Sequence, residues 1–238
     1  MKIDFKNEIF LLKDEELVDF LNLSLRGFKK EEAPEGVYFK KYKKAKLLFV
    51  SHRDTVQEPS GYVVFNNYII SSVLDNRLGM SLGIELAKDF PIDILITDDE
   101  EKGKSTIMFT PQSKLEKYNW IFSIDRRGEY PVTYHHYNKE AYKKLEKTFG
   151  NIERGSFSDI SFIQNVFSVN FPAGHETDHN PINYANLKTV SNCLKKIKLF
   201  ISENINTRYR DEERPITSWY DNYYHYYNYH KNKKWWLK

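Results

Sequence analysis

Apolar positions fall into two periods along the chain. From Lys13 to Arg26, Leu17, Phe20, Leu21 and Leu25 recur at helical spacing, with Asp14 and Glu15 in the first turn, which predicts an amphipathic helix. Gly36 to Lys40 and Lys46 to Val50 read as strands, the second apolar enough to be central in a sheet. Tyr62 to Phe65 and Tyr68 to Ser71 predict a hairpin turning at Asn66-Asn67. Leu78 to Lys88 predicts a helix, and Ile92 to Thr97, Trp120 to Ile124 and Val166 to Asn170 predict three further strands. Asn186 to Glu203 carries the clearest helical stripe: Leu187, Val190, Leu194, Ile197 and Ile201. Strands alternating with helices over some two hundred residues indicate an α/β fold, a three-layer α/β/α sandwich around a mixed, mostly parallel sheet. In such folds sites gather beyond the carboxyl ends of strands.

Composition narrows the class. Of the 238 residues, 40% are hydrophobic and 29% charged, as in ordinary globular proteins. No apolar run approaches the roughly eighteen residues of a membrane span, and the charged start Met1 to Lys6 has no signal-peptide stretch, so the expected setting is cytoplasmic, without a membrane partner. Cys193 is the single cysteine, which removes intrachain disulfides and thiolate metal sites; it lies in the last helix and reads as core. A net charge of +3 gives no argument for nucleic acid. Composition divides the chain into one catalytic domain, residues 1–206, and a tail, residues 207–238, dense from Ser218 onward in Tyr, Trp, Asn, His and Lys. The tail can pack back, mediate assembly or stack on a polymer; the 17 Tyr and 16 Phe point first to an AT-rich coding bias.

The candidate chemistry sits at the strand ends. His52 and Asp54 follow one apolar strand, Asp98 to Glu101 another, and Asp125 ends a third. Each group alone reads blandly: a surface loop, a solvated acidic loop, and at Asp75-Asn76 a turn or helix cap. Brought together, Asp75, Glu100, Glu101 and Asp125 would meet His52 and His179, and carboxylates about 4 Å apart repel by roughly 4 kcal/mol per pair at an effective dielectric of 20. A divalent metal would supply the missing positive charge; mixed imidazole and carboxylate ligands suit Zn²⁺, with Co²⁺ or Mn²⁺ as substitutes. Residues two apart on an extended chain face the same side, so Asp54 can stand behind His52 and fix its tautomer. The adjacent carboxylates of Glu100-Glu101 point in different directions, so one can bind metal while the other acts as a general base.

Six motifs in order resemble the co-catalytic zinc exopeptidases, the superfamily of peptidase T-like tripeptidases, glutamyl and leucyl aminopeptidases, carboxypeptidases and deacylases. They are Ser51-His52-Arg53-Asp54-Thr55-Val56, Leu74-Asp75-Asn76-Arg77-Leu78-Gly79, Thr97-Asp98-Asp99-Glu100-Glu101-Lys102-Gly103, Ile124-Asp125, Gly155-Ser156-Phe157-Ser158-Asp159, and Gly174-His175-Glu176-Thr177-Asp178-His179-Asn180-Pro181. The resemblance covers roughly residues 45–203. It implies a hydrolase-type fold with two zinc ions: His52 and Asp125 on the first, Glu101 and His179 on the second, and Asp75 bridging both. It implies Glu100 as general base and Asp54 as the residue orienting His52. His175 competes with His179 for the ligand role; His179 is preferred because it directly precedes Asn180-Pro181 and the last helix, the family's placement. His175 is then a substrate contact or a loop residue, and Asp159 either binds a substrate amine or caps a helix beginning near Ile160.

Two departures bear on function. Asn76 stands where the family often has a second acid. Only about thirty residues separate Asp125 from Asp159, too few for the lid or dimerisation domain of larger members. A catalytic group that such lids contribute is therefore absent or replaced by Arg127, His135 or His136; the two histidines are expected on an edge strand. The expected activity is a dinuclear zinc metallo-aminopeptidase or small-peptide peptidase acting on peptides. The alternatives are an N-acyl amino acid deacylase or carboxypeptidase, and a metal-binding inactive homologue whose aromatic tail binds a partner. The sequence specifies no oligomeric state.

Overall fold

The structure, a computed structural model, describes residues 7–41, 44–177 and 180–213. The chain runs through helix α1 (Asp14–Ser24), strands β1 (Phe28–Ala33), β2 (Gly36–Lys41), β3 (Leu47–His52), β4 (Val63–Phe65) and β5 (Tyr68–Ser71), then α2 (Leu74–Asp89) and β6 (Ile92–Thr97). It continues through the short α3 (Gln112–Leu115), β7 (Trp120–Arg126), β8 (Val132–Thr133), α4 (Lys139–Phe149), β9 (Glu153–Arg154), β10 (Ser168–Pro172), β11 (Asn183–Asn186) and α5 (Leu187–Asn204). An eight-stranded sheet has the order β1-β2-β6-β3-β7-β10-β8-β9, and β11-β5-β4 forms a smaller one.

The four central strands β6, β3, β7 and β10 are mutually parallel, with Leu47 of β3 beside Ile92 on one side and Trp120 on the other. Their carboxyl ends therefore share one edge of the sheet, as the alternation of strands and helices leads one to expect. All six residues of β3 are buried, the mark of a strand covered on both faces. Period-two alternation sorts them: Leu47 and Phe49 join one core with α1, α2, α4 and α5, and Leu48 and Val50 join the other. The first core is thick, with Trp120, Phe122, Phe171 and Phe200 in edge-to-face and tilted ring contacts. The second is roofed by α3 and by 3₁₀ turns, which contribute Leu115, Ile107 and Ile160. The sandwich thus has one layer of long helices and one thin layer.

The hairpin turns where the sequence places it, with Asn66 and Asn67 at φ 46° and 67°. The range of α2 opens at Leu74, four residues before the expected start, but Asp75 and Asn76, joined by a cis peptide, hold non-helical backbone angles, so the regular helix runs only from Arg77, one residue before the expected Leu78. Strand β10 lies two residues later than Val166 to Asn170. Helix α4 has no counterpart in the sequence reading. Its buried face is only Ala141, Leu145 and Phe149, so four lysines and two glutamates outweigh it in composition; Asn138 caps it and Gly150 ends it at φ 91°. Residues 207–213 lie on the domain, with Tyr209 buried and Arg210 bridged to Val166. The aromatic stretch Ser218 to Lys238 lies outside the described residues. Among those that are described, no helix is long and apolar enough to cross a membrane.

Candidate metal centre

Close packing of α2 on the sheet assembles the site. A Cβ on Gly79 would lie 1.5 Å from the Ile124 carbonyl oxygen, and one on Gly83 would lie 2.0 Å from the Phe49 ring. Both positions need glycine so that the helix can ride on β7 and β3, and its first turn then carries Asp75 to the strand ends. Asn76 donates to Ser51 Oγ at 3.1 Å, fastening that turn to β3. His52 ends β3, paired in register with Thr97 at the end of β6, and Asp125 is the penultimate residue of β7. Glu100 and Glu101 open a 3₁₀ turn flanked by Asp99 at φ 66° and Gly103 at φ 70°, which reverses the chain back over the edge.

Arg53 and its neighbours show the strand alternation at work. The Arg53 guanidinium binds Asp98 at 2.5 and 2.9 Å, leaving His52 and Asp54 to face the cluster. His52 Nδ1 lies 2.9 Å from the Asp54 backbone oxygen. A carbonyl oxygen can only accept, so Nδ1 carries the hydrogen and Nε2 is the nitrogen whose lone pair becomes available when the ring is neutral. Nε2 faces Asp75 Oδ1 at 3.3 Å and Asp125 Oδ1 at 3.6 Å. Asp54 therefore sets the tautomer through its main chain, while its carboxylate accepts the amide hydrogens of Glu100 at 3.3 Å and Glu101 at 3.1 Å. One residue orients both the histidine and the Glu100-Glu101 turn. Ligand atoms of His52, Asp75 and Glu101 all lie within 4.8 Å of one another.

The electrostatics oppose full ionisation of the cluster. Burial, the Asp75 charge and Glu100 raise the Asp125 pKa well above the carboxylate range, against the pull of His52. Burial likewise raises Glu100 to about 8, with repulsion from Asp159, Asp75 and Glu101 opposing the attraction of His52. Burial would lower the His52 pKa, but Asp125, Asp54 and Asp75 outweigh it and raise it well above the ordinary value. Asp54 moves the other way: burial opposes ionisation, yet His52 and the Glu101 amide lower its pKa. His52 Nε2 and Asp125 Oδ1 are buried and make no hydrogen bond among the described residues. Unsatisfied buried donors of this kind, imidazole and carboxylate without sulfur, fit Zn²⁺, Co²⁺ or Mn²⁺.

The fold thus brings together His52, Asp54, Asp75, Glu100, Glu101 and Asp125. Asp159 is buried behind them, its carboxylate accepting from Thr97 Oγ1 at 2.9 Å and from Ser105 Oγ, and its pKa is raised by burial. It opens a 3₁₀ turn, Asp159–Phe162, whose cap is Ser158. His175 is buried; it pairs with Ala185 in an isolated bridge, and its carbonyl accepts from the Gly128 amide at 2.9 Å. His179 lies outside the described residues. His135 and His136 follow β8 rather than lying on a strand. Sequence reasoning passed over Thr97 and Ser105, which hold Asp159, and Asn170, whose Oδ1 accepts the Asp125 amide at 2.9 Å. Thr97 was findable, being the polar residue that ends an apolar strand beside His52; Asn170 and Ser105 carry no local signal.

No protein-family model and no curated protein matches the chain. Solved structures do. The aminopeptidase PepT from Bacillus cereus ATCC 10987 superposes with a TM-score of 0.66 at 12% identity, covering 83% of this chain and 96% of that chain. A tripeptidase from Staphylococcus aureus subsp. aureus Mu50 gives 0.65 at 12%, covering 86% and 98%. A Thermotoga maritima protein named as an endoglucanase gives 0.56 at 12%, covering 84% and 97%. At these identities the likeness shows that the chain has the α/β fold of these proteins.

Proposed function

We propose that this chain is a dinuclear zinc metallohydrolase that cleaves amide bonds, acting as an aminopeptidase or small-peptide peptidase. The observation that carries the reading is the convergence of His52, Asp75, Glu101 and Asp125 at the carboxyl edge of a parallel sheet, with the carboxylate of Glu100 beside them. The aminopeptidase and tripeptidase that share the fold favour a peptide substrate. His52 and Asp125 would hold one ion, Glu101 the second together with His179, and Asp75 both. When bound, the ions supply positive charge that polarises a scissile carbonyl and acidifies water.

The chain's own residues do the rest. His52, locked by its Nδ1 hydrogen bond, offers only Nε2 to the cluster. Glu100 accepts a proton at its carboxylate from the attacking water and returns it to the leaving amine; its raised pKa favours the donating half of that cycle. Asp54 keeps Glu100 and Glu101 turned in different directions by binding both amides. Asp159, with its oxygens engaged by two hydroxyls, holds the turn after β6 against the sheet.

The test is metal content by mass spectrometry after dialysis against metal-free buffer and zinc reloading, followed by hydrolysis of aminoacyl and N-acyl substrates. We expect two zinc equivalents that depend on Asp75 and turnover of aminoacyl substrates with a free amine. Glu100→Gln should keep the metal and lose about 10³-fold in kcat. Turnover of N-acyl substrates alone would replace the reading by a deacylase, and unchanged turnover in Glu100→Gln would sink the mechanism.

A further inference from the structure

Outside that cluster, a second group of donors comes from two separate segments: His135 and His136 after β8, and Asp211 beyond α5. Ligand atoms of the three lie within 4.8 Å of one another. His135 Nε2 lies 2.8 Å from the Ile163 carbonyl oxygen, and His136 Nε2 lies 3.0 Å from that of Ile160. Both oxygens can only accept, so each Nε2 carries hydrogen, and Nδ1 is the nitrogen that an ion could take once it is deprotonated. Histidines that bind metals are usually prepared in this manner, donating the other ring N–H to a carbonyl. His136 Nδ1 stands 2.9 Å from Asp211 Oδ2, and the two rings lie side by side with centroids 4.1 Å apart. Two ligand atoms each about 2.0–2.1 Å from one zinc ion are separated by roughly 2.9–3.4 Å, so the His136–Asp211 pair stands at the short end of the ligation range. Asp211 Oδ1 is buried and makes no hydrogen bond among the described residues.

A charged His136 donating to Asp211 would account for the 2.9 Å contact. It would not account for the second histidine turned to a carbonyl in the same way, nor for the buried Asp211 oxygen left over. A divalent ion accounts for all three.

We propose that His135, His136 and Asp211 form a second metal site, separate from the catalytic cluster, that takes a zinc-class divalent cation through the two Nδ1 atoms and the Asp211 carboxylate. The exposed edge of His135 leaves a fourth position to water. The site is structural, because it lies where residues 207–213 dock. There the Glu212 amide donates to the Tyr137 carbonyl at 2.8 Å, Asn138 donates to the Arg210 carbonyl at 2.9 Å, and Arg210 donates to the carbonyls of Glu116 and Tyr118. An ion here staples the segment after α5 onto residues 135–136, which are themselves held to the carbonyls of Ile160 and Ile163.

The experiment counts zinc where the catalytic cluster has been disabled, so its outcome is independent of whether the chain hydrolyses peptides. The full-length Asp75→Ala variant, dialysed against zinc and then against metal-free buffer, is expected to retain about one equivalent by mass spectrometry. Asp75→Ala/Asp211→Asn should retain about one equivalent fewer, and so should Asp75→Ala/His135→Gln, in which an exposed ring is replaced and no core contact is lost; circular dichroism checks both folds. Zinc should also slow tryptic cleavage after Arg208 in Asp75→Ala and leave it unchanged in the double variants. Equal zinc in the single and double variants, or none in Asp75→Ala, would overturn the proposal.

Discussion

The two donor clusters use one device to different ends. In the first, the His52 ring N–H goes to the Asp54 carbonyl and Nε2 faces carboxylates; in the second, the His135 and His136 Nε2 atoms go to carbonyls and His136 Nδ1 faces Asp211. The surroundings differ. His52 stands among Asp54, Asp75, Glu100, Glu101 and Asp125, at the ends of parallel strands, and Glu100 there has its pKa raised to about 8. Among the described residues, the histidine pair shares its ligand group with one carboxylate, that of Asp211, at the junction of three chain segments. A donor set gives binding; a spare, half-buried carboxylate next to it gives chemistry. The comparison predicts that the clusters respond to different perturbations.

The largest effect should come from Gly79→Ala. The added methyl would collide with the Ile124 carbonyl, pushing α2 from β7 and parting Asp75 from Asp125. Overpacking against main chain outweighs the gain of about 1 kcal/mol in helix propensity, so denaturant titration should show a loss of about 3 kcal/mol or more. Metal bound through Asp75 should be lost, and the equivalent assigned to Asp211 retained. A variant with unchanged stability and full catalytic metal would mean that the helix approach does not set the first cluster.

That contrast in local support also explains what was readable in the chain. The first cluster sits at ends of apolar runs such as Leu47 to Val50 and Ile92 to Ile96, so periodicity alone placed His52, Glu100, Glu101 and Asp125 at one edge. The parallel sheet and α5 were legible for the same reason. Asp54 was singled out, but its carbonyl rather than its carboxylate touches the ring within hydrogen-bond distance, a choice that only loop geometry makes. The second cluster was not legible: His136 and Asp211 are 75 residues apart, and Asp211 falls past the point where composition drew the end of the domain. Burial of Tyr209 brings it back, and one buried ring leaves little trace in composition. The thin second layer escaped because 3₁₀ turns such as Asp159–Phe162 are too short to show a period.

A smaller, pH-dependent effect should belong to the first cluster alone. Burial raises Glu100 from 4.5 to about 8, so between those values the folded metal-free protein holds a proton that the unfolded chain has released. The stability contributed by that proton is fully present below about pH 4.5 and is lost as pH rises through about 8. Asp125, raised in the same direction by burial, adds to the loss. Metal-free wild type should therefore lose a few kcal/mol between pH 5 and pH 8.5, whereas Glu100→Gln should show a visibly shallower decline in melting temperature over that range. Parallel curves for the two proteins would remove Glu100 from the buried, repelling set.

The smallest effect tests whether the clusters are independent. Tyr134, next to His135 in sequence, accepts at its hydroxyl from Asn170 Nδ2 at 3.0 Å, and Asn170 Oδ1 accepts the Asp125 amide. This chain joins the loop of the second cluster to a ligand of the first. Tyr134→Phe keeps the ring and removes the acceptor, leaving the buried Asn170 amide without that bond at a cost of about 1 kcal/mol in stability. If the first cluster is held by its strands, α2 and Asp54, Asp125 stays in place, metal content is unchanged and kcat moves by no more than about threefold. A loss of a hundredfold in kcat with full metal content would show that the second region acts on catalysis through Tyr134. The division between a chemical and a structural cluster would then have to be redrawn as one coupled unit.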